Sequence, residues 1–453
     1  MSAGPRRPLV MRLAVSTALV AGAVPVIAVA GADEPGLVAE RVAHVANVPG
    51  GTGGHSIIEG NRLYVGAYGY GMRLFDISNP RSPKPLGEFR PGPQSGGQDP
   101  DPGVRADAVP DAAVLGGRHI VALNGTGRTA GAQQTEFLDW TNPAKPELLF
   151  RFSNRDDGES HNGDIVDARR WWVPSGLVNF RIYDLSPLLG KTPAAPARLV
   201  SVNPRELWES SPHRKGRPVG GPSTSIHDIE VYADREVVVG GKKTKRDIAL
   251  VAEGGNYLQG NNSGSLYILD ITNPRAPVAL LRHQRTAKDG KVMRYVHEAQ
   301  FLDGRDDIIV TTDEDLQSGC DNGGIAVSRV SPDLTQIQEL SQWFIGSGTP
   351  AAVCSVHVMS TKDRYAFFGS YNAGLQVVDL DNPSKPVRAG RFIAAGANSW
   401  GALVHPRERG YVTYVGDFGG RGLDVLELQV PDRGPGSQGK GDKGGSKGNG
   451  ARP

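Results

Sequence analysis

A short apolar strand closed by Asp-x-x-Asn-Pro recurs from near the start of this 453-residue chain to its end, and no other feature limits the fold as tightly. The clearest copy is Leu375-Gln376-Val377-Val378-Asp379, followed by Asn382-Pro383 and Pro386. Near-copies end at Asp76, before Asn79-Pro80 and Pro83, and at Asp270, before Asn273-Pro274 and Pro277. Counting these pentapeptides by their last residue gives seven: Asp76, Asp139, Asp184, Asp270, Arg329, Asp379 and Glu427. They stand 45 to 86 residues apart, a blade-like period with insertions.

Within a unit the pattern predicts four antiparallel strands. In the fourth unit these are an alternating strand over residues 226–233, a short apolar strand over 236–240, the pentapeptide strand, and a return strand over 278–282. A content of 60 Gly and 33 Pro suits many short strands joined by tight turns. The fold expected is all-β: a seven-bladed β-propeller of four-stranded antiparallel blades. Stretches 91–102, 187–222 and 241–263 read as loops on its faces. The seventh unit runs into Pro431 with no room for a fourth strand, whereas residues 37–48 alternate like a strand and have no partner before them. Pairing that N-terminal strand with the last blade closes the ring and removes its exposed edges.

Residues 1–32 read as a signal peptide: arginines, an apolar run, and small-residue cleavage sites at Ala28-Val29-Ala30 or Ala30-Gly31-Ala32. An uncleaved anchor is the competing reading, since the run approaches the length that spans a bilayer; Pro25 and the Ala-x-Ala ending favour cleavage. The expectation is a secreted or cell-surface protein with no stable transmembrane anchor, and a monomer. Residues 33–430 form the propeller. Residues 431–453, rich in Gly and Lys and nearly devoid of apolar side chains, form a disordered tail. The formal charge is +2, and each terminal segment is itself net positive, so the folded part is slightly acidic and offers no electrostatic footprint for nucleic acid. The two cysteines, Cys320 and Cys354, pair as a disulfide in an exported chain.

The pentapeptides resemble those of the LVIVD-repeat proteins, a family of seven-bladed propellers found mainly in exported bacterial proteins. The resemblance spans roughly residues 38–430 and departs most at the fifth unit, which has Arg329 in place of the acid and no Asn-Pro turn. It implies fold and export, not activity, because propellers host unrelated functions.

Of ten histidines, five occupy one phase of the repeat: His55, His161, His227, His297 and His357, each heading its unit's first strand. First strands line a propeller's axis, so these five are expected at one end of the channel. Gathered imidazoles suit one transition-metal ion, zinc, copper or iron. The remaining two units are expected to bring Asp107 and Trp400 to the ring as ligand-pocket residues, and Asp228 and Glu298 stand beside two of the histidines. A purely structural role competes with that reading and is the one favoured for a repeated residue: each imidazole bonds a backbone carbonyl of the next blade and ties blade to blade. Asp313-Glu314-Asp315 reads as an acidic loop tip, with a calcium site as the alternative. No phosphate-binding glycine loop is present. Two functions fit: a binding or interaction module for a protein, glycan or small molecule, and a metal-dependent enzyme, an oxidoreductase among the candidates, built on the axial histidines.

Overall fold

A computed structural model describes residues 37–430 apart from 51–52, 68–70, 91–104, 128–134, 153–159, 215–224, 255–263, 285–294, 315–318, 322, 347–348, 350, 352 and 409. The expected signal peptide, the C-terminal tail and the 91–102 loop lie outside the described residues.

The described residues form seven antiparallel sheets. Blade one is Gly53–Glu59, Arg62–Ala67, Gly71–Asp76 and Lys84–Phe89; blade two is Arg105–Leu115, Arg118–Gly127, Glu136–Asp139 and Glu147–Arg151. Blade three is Gly163–Val166, Trp171–Pro174, Phe180–Asp184 and Ala197–Val202; blade four is Ile226–Val239, Lys242–Glu253, Ser265–Asp270 and Val278–Gln284. Blade five is Val296–Phe301, Ile308–Asp313, Ile325–Val330 and Ile337–Trp343. Blade six is Met359–Lys362, Tyr365–Gly369, Leu375–Asp379 and Val387–Ile393, and blade seven contributes Ser399–Val404, Tyr411–Asp417 and Gly422–Leu428. First strands touch first strands around the ring, and Ser399–Val404 meets Gly53–Glu59, so the array closes.

The core lies between blades. Phe180 and Ile182 of blade three pack on Val251, Tyr267 and Leu269 of blade four, and the same layering recurs around the ring. Both faces of a blade are covered by neighbours, so third strands read as continuous apolar runs; Leu375, Val377 and Val378 are all buried. The turn after each run explains its signature. The pentapeptide Asp accepts the N–H two residues on, at 2.8 Å from Ser78 to Asp76, 2.9 Å from Thr141 to Asp139 and 2.9 Å from Asp381 to Asp379. The Asn then does the same, Asn382 accepting from Ser384 at 3.1 Å. Asp-x-x-Asn-Pro is thus two successive side-chain-capped turns, with proline fixing the second.

Closure follows the expected route with a division of labour. Val42–Val48 is the outermost strand of blade seven, in register from Val42 opposite Leu428 to Val48 opposite Leu423. Its register shifts between His44 and Ala46, matching the bulge between third and fourth strands of every other blade, as between Val377 and Val378. The N-terminal strand therefore takes the fourth position of the repeat. The predicted single strand is broken at Arg41 (φ 53°), and Val38–Glu40 crosses to Val387–Ile393 as a fifth strand on blade six.

Two loop expectations are corrected. Residues 241–263 are not a face loop over their first half: Gly240 and Gly241, at φ +57° and +79°, form a two-residue turn that joins Ile226–Val239 to Lys242–Glu253. The supposed short second strand at 236–240 is the end of the first. Lysines along the hairpin tip mask the alternation. The 187–222 stretch contains blade three's fourth strand, Ala197–Val202, and the short helix Pro204–Glu209. Among the described residues no helix is long and apolar enough to cross a membrane.

Candidate functional site: an axial histidine ring

Four of the ring residues, His55, His227, His297 and Trp400, are delivered by bulges, while His161 and His357 stand just ahead of their blades' first strands. In blade four Ile226 pairs with Glu253 and Asp228 with Ala252, leaving His227 as an extra residue outside the ladder; Trp400 is the extra residue of blade seven in the same way. His55 of blade one and His297 of blade five each belong to two residues that oppose one. A bulge re-aims its side chain and frees it from pairing, and here it turns the chain toward the axis.

The result is an arc of rings. His161 lies 4.5 Å from His227 between centroids, His227 4.0 Å from His297, His297 4.3 Å from His357, and His357 4.2 Å from Trp400. Phe418 stacks on Trp400 at 4.8 Å, and Tyr295 flanks His227 at 5.2 Å. His55 joins the group through its electrostatic coupling to His161. In blade two the extra residue is Ala106, while Asp107 pairs with Thr126; the side chain of Asp107 lies outside the described residues.

The acidic triplet is not a loop tip. Asp313 is fully buried and accepts Tyr295 N–H at 2.6 Å, and Asp315 is outside the described residues. Glu314 reaches into the ring. Its two oxygens lie 3.9 Å from His297 Nε2 and 3.8 Å from His357 Nε2, and the Tyr371 hydroxyl donates to it. Ligand atoms of His227, His297 and Glu314 all fall within 4.8 Å of one another. Bonds of about 2.0–2.2 Å place the donors of one ion about 3.3–4.4 Å apart, close to the separations within this set.

Hydrogen bonding distinguishes the imidazoles. His227 Nδ1 meets the His297 carbonyl at 3.0 Å and His357 Nδ1 meets the Trp400 carbonyl at 2.7 Å, each on the next blade. The blade-tying role is therefore present at two positions. It also fixes a tautomer: Nδ1 carries the proton and donates, leaving the Nε2 lone pair available. His297 differs. It is 1% exposed, and neither ring nitrogen has a hydrogen-bond partner among the described residues.

Enclosure in the channel, reinforced by neighbouring imidazoles, holds His227 and His297 well below the ordinary imidazole value and lowers His55 to about 4. Burial brings His357 to about 3 despite its carbonyl partner. These rings are neutral at physiological pH, the form that ligates metals. Near them, burial pushes Asp228 up to about 7 and, with help from Asp228 and Asp111, Glu230 up to about 8; Glu298 also rises.

The two sets oppose each other in stability. As pH falls below the ordinary imidazole value of 6.5, the unfolded chain takes up protons that the folded ring refuses, so the histidines lower stability from there down to about 4 and 3. The raised carboxylates act in the other direction. The folded state keeps protons that the unfolded chain has already lost, so stability falls as pH rises toward about 8. Glu230→Gln is expected to raise Tm at pH 8 and leave it unchanged at pH 4, measured by thermal unfolding across that range; equal shifts at both ends would contradict the burial assignment.

A hollow beside the helix Pro204–Glu209, lined by Asn203, Arg205, Glu206, Glu209 and Ser210, lies at the outer strand of blade four and gathers no imidazoles.

The family model described as LVIVD repeat matches residues 53–89 and 353–393, which cover blade one and the axial approach and strands of blade six. The chain carries LVIVD repeats. None of the curated proteins matches it. Among solved structures this LVIVD-repeat propeller is similar to the β-propeller domain of Cps50 (Swd1) from Myceliophteria thermophila. That match has 10% identity and a TM-score of 0.51, and covers 85% of this chain and 99% of the other. The computationally designed Ika8 protein aligns at 12% identity and a TM-score of 0.45, over 90% of this chain and 96% of the other. At 10% identity the Cps50 likeness shows the fold alone.

Proposed function

We propose that this LVIVD-repeat propeller is an exported protein that holds one divalent first-row transition-metal ion at the mouth of its channel, with His227, His297 and Glu314 as ligands. His55, His161 and His357 complete the surrounding ring. The observation that carries this reading is His297, a buried imidazole with both nitrogens unpartnered among the described residues, beside a neutral imidazole and a carboxylate. A buried polar group left without a partner is costly, and a metal bond removes that cost. Mixed imidazole and carboxylate donors suit zinc or ferrous iron better than cuprous copper, which favours sulfur. Three protein ligands leave a coordination position open, the pattern of a catalytic rather than a closed structural site. The function favoured is thus metal-dependent chemistry on a small molecule.

Dialysis of the purified protein against zinc, then metal analysis, is expected to return about one ion per chain. His227→Ala combined with His297→Ala should return none while the circular dichroism spectrum is kept. Folded wild-type protein that binds no zinc, cobalt or ferrous iron would remove the metal reading.

A second reading, an interaction module at or beyond the cell surface, is supported by the blade-four hairpin. Its tip exposes Val239, Lys242, Lys243 and Lys245, which suits an anionic partner.

A further inference from the structure

Glu314 offers a metal two oxygens, and its surroundings treat them differently. Oε2 faces His297 Nε2 at 3.9 Å, whereas Oε1 faces His357 Nε2 at 3.8 Å and accepts a hydrogen bond from the Tyr371 hydroxyl. A carboxylate held in this way keeps one orientation, as ligating carboxylates commonly do.

Tyr371 comes from the turn between Tyr365–Gly369 and Leu375–Asp379 of blade six. Its φ of 46° lies in the left-handed region, where a bulky side chain is unfavourable and persists only when its surroundings over-determine it. Two neighbouring segments supply that constraint. Tyr371 N–H donates to the Ser399 carbonyl at 2.9 Å and Ser399 N–H returns the bond at 2.8 Å, one residue ahead of Trp400 on blade seven. Next to it, Asn372 N–H donates to the Val353 carbonyl at 3.1 Å, and the Asn372 side chain accepts Val353 N–H at 3.2 Å and donates to the Ala397 carbonyl at 2.8 Å. Val353 adjoins Cys354, whose sulfur is joined to that of Cys320 as expected. The phenol ring then lies edge-on between His357, at 5.2 Å, and Trp400, at 5.9 Å. A strained residue on blade six, braced by blade seven, thus aims its hydroxyl at one oxygen of a blade-five carboxylate.

Resting on the metal reading above, we infer that Tyr371 is a positioning residue for the metal site. Its hydroxyl engages Glu314 Oε1, so that Oε2, the oxygen on the His297 side, is the one that meets the ion. The turn supplies in advance the ordering that the carboxylate would otherwise undergo on binding, and preorganisation of that kind raises affinity without adding a ligand. The backbone strain at Tyr371 is held for this purpose.

The test measures zinc affinity by competition with a chromogenic chelator, and the visible spectrum of bound cobalt as a report on ligand geometry. It compares the wild-type protein with Tyr371→Phe, Tyr371→Asn, Glu314→Gln and the Tyr371→Phe/Glu314→Gln double variant, each checked for folding by circular dichroism. Tyr371→Phe keeps the ring and removes only the hydroxyl, and is expected to weaken zinc binding by about tenfold and to shift the cobalt bands. In the Glu314→Gln background it should add much less, because the hydroxyl acts through that carboxylate. Tyr371→Asn, which suits the left-handed backbone, should weaken zinc binding at least as much, and it supplies the comparison should the phenylalanine variant not fold. A merely structural tyrosine would leave affinity and spectrum unchanged in the folded variants. The inference is overturned if hydroxyl loss leaves zinc affinity as in the wild type, or if it costs the same with and without the Glu314 carboxylate. Wild-type protein that binds neither zinc nor cobalt overturns the metal reading itself, an outcome distinct from equal binding in every form.

Discussion

A chain that starts at residue 49 is expected to lose the cooperative unfolding transition of the full protein and to aggregate. It lacks Val42–Val48, the fourth strand of blade seven, in which Val42, Ala46 and Val48 are buried. Full burial of the two valines alone contributes about 3–6 kcal/mol. A domain's total stability is about 5–15 kcal/mol, so the loss is a large share of it. The deletion also strips the partner from Gly422–Leu428, leaving an apolar edge strand open to pairing between molecules. A chain starting at residue 41 tests the assignment more finely. It loses Val38–Glu40, whose side chains are exposed or half-buried, and the Arg391–Glu40 ion pair at 2.5 Å. Surface pairs contribute up to about 1 kcal/mol, so this shorter deletion should cost little. Thermal unfolding and light scattering distinguish the two. Equal behaviour of both truncations would show that the division at Arg41 has no energetic meaning.

Lys362→Met is expected to destabilise the protein on the order of 3–5 kcal/mol, since each buried group left unsatisfied costs about 1–3 kcal/mol. Lys362 ends the first strand of blade six and is 8% exposed. Its ammonium donates to the carbonyls of His405 at 2.9 Å and Gly410 at 2.8 Å, and to that of Glu408. Three N–H donors thus meet three carbonyls in the turn between blade seven's first two strands, a match in number and charge. Methionine keeps the volume of the stem and removes every donor. Burial already lowers the lysine's pKa, which marks how much the charged form depends on those carbonyls. A Tm within about 2 °C of wild type would show that water satisfies the turn instead.

The scaffold was legible because its signals are local. The pentapeptide Asp caps a neighbouring N–H in five blades and an Asn caps a second in four of them, so the motif marks most of the turns, and the apolar pentapeptides count the rest of the seven blades. The closing strand was legible for a different reason: blade seven lacked a strand and residues 37–48 lacked a partner. The histidine phase could also be read, since His55, His161 and His357 stand 21, 23 and 22 residues before their pentapeptide's end. What delivers the ring could not. A bulge inserts one unpaired residue and leaves no trace in alternation, which is why counting back along blade two selected Asp107 although Ala106 occupies the extra position. Glu314 was hidden because it comes from a second strand's end and its acidic neighbours resemble a solvated tip. Only the fold shows that Asp313 and Glu314 point inward. The Gly240-Gly241 turn was mistaken for the start of an insertion, because a lysine-rich strand beyond it does not look apolar.

Because the extra residues stand outside the ladders, the channel mouth works as a set of interchangeable slots. In blades one, two, four, five and seven a side chain at the slot can change without unpairing any strand. A sister protein could keep every turn and every buried valine and still present imidazole, indole or a bare methyl group at each slot. Divergence of ligand choice in such propellers then requires single substitutions in place of new loops.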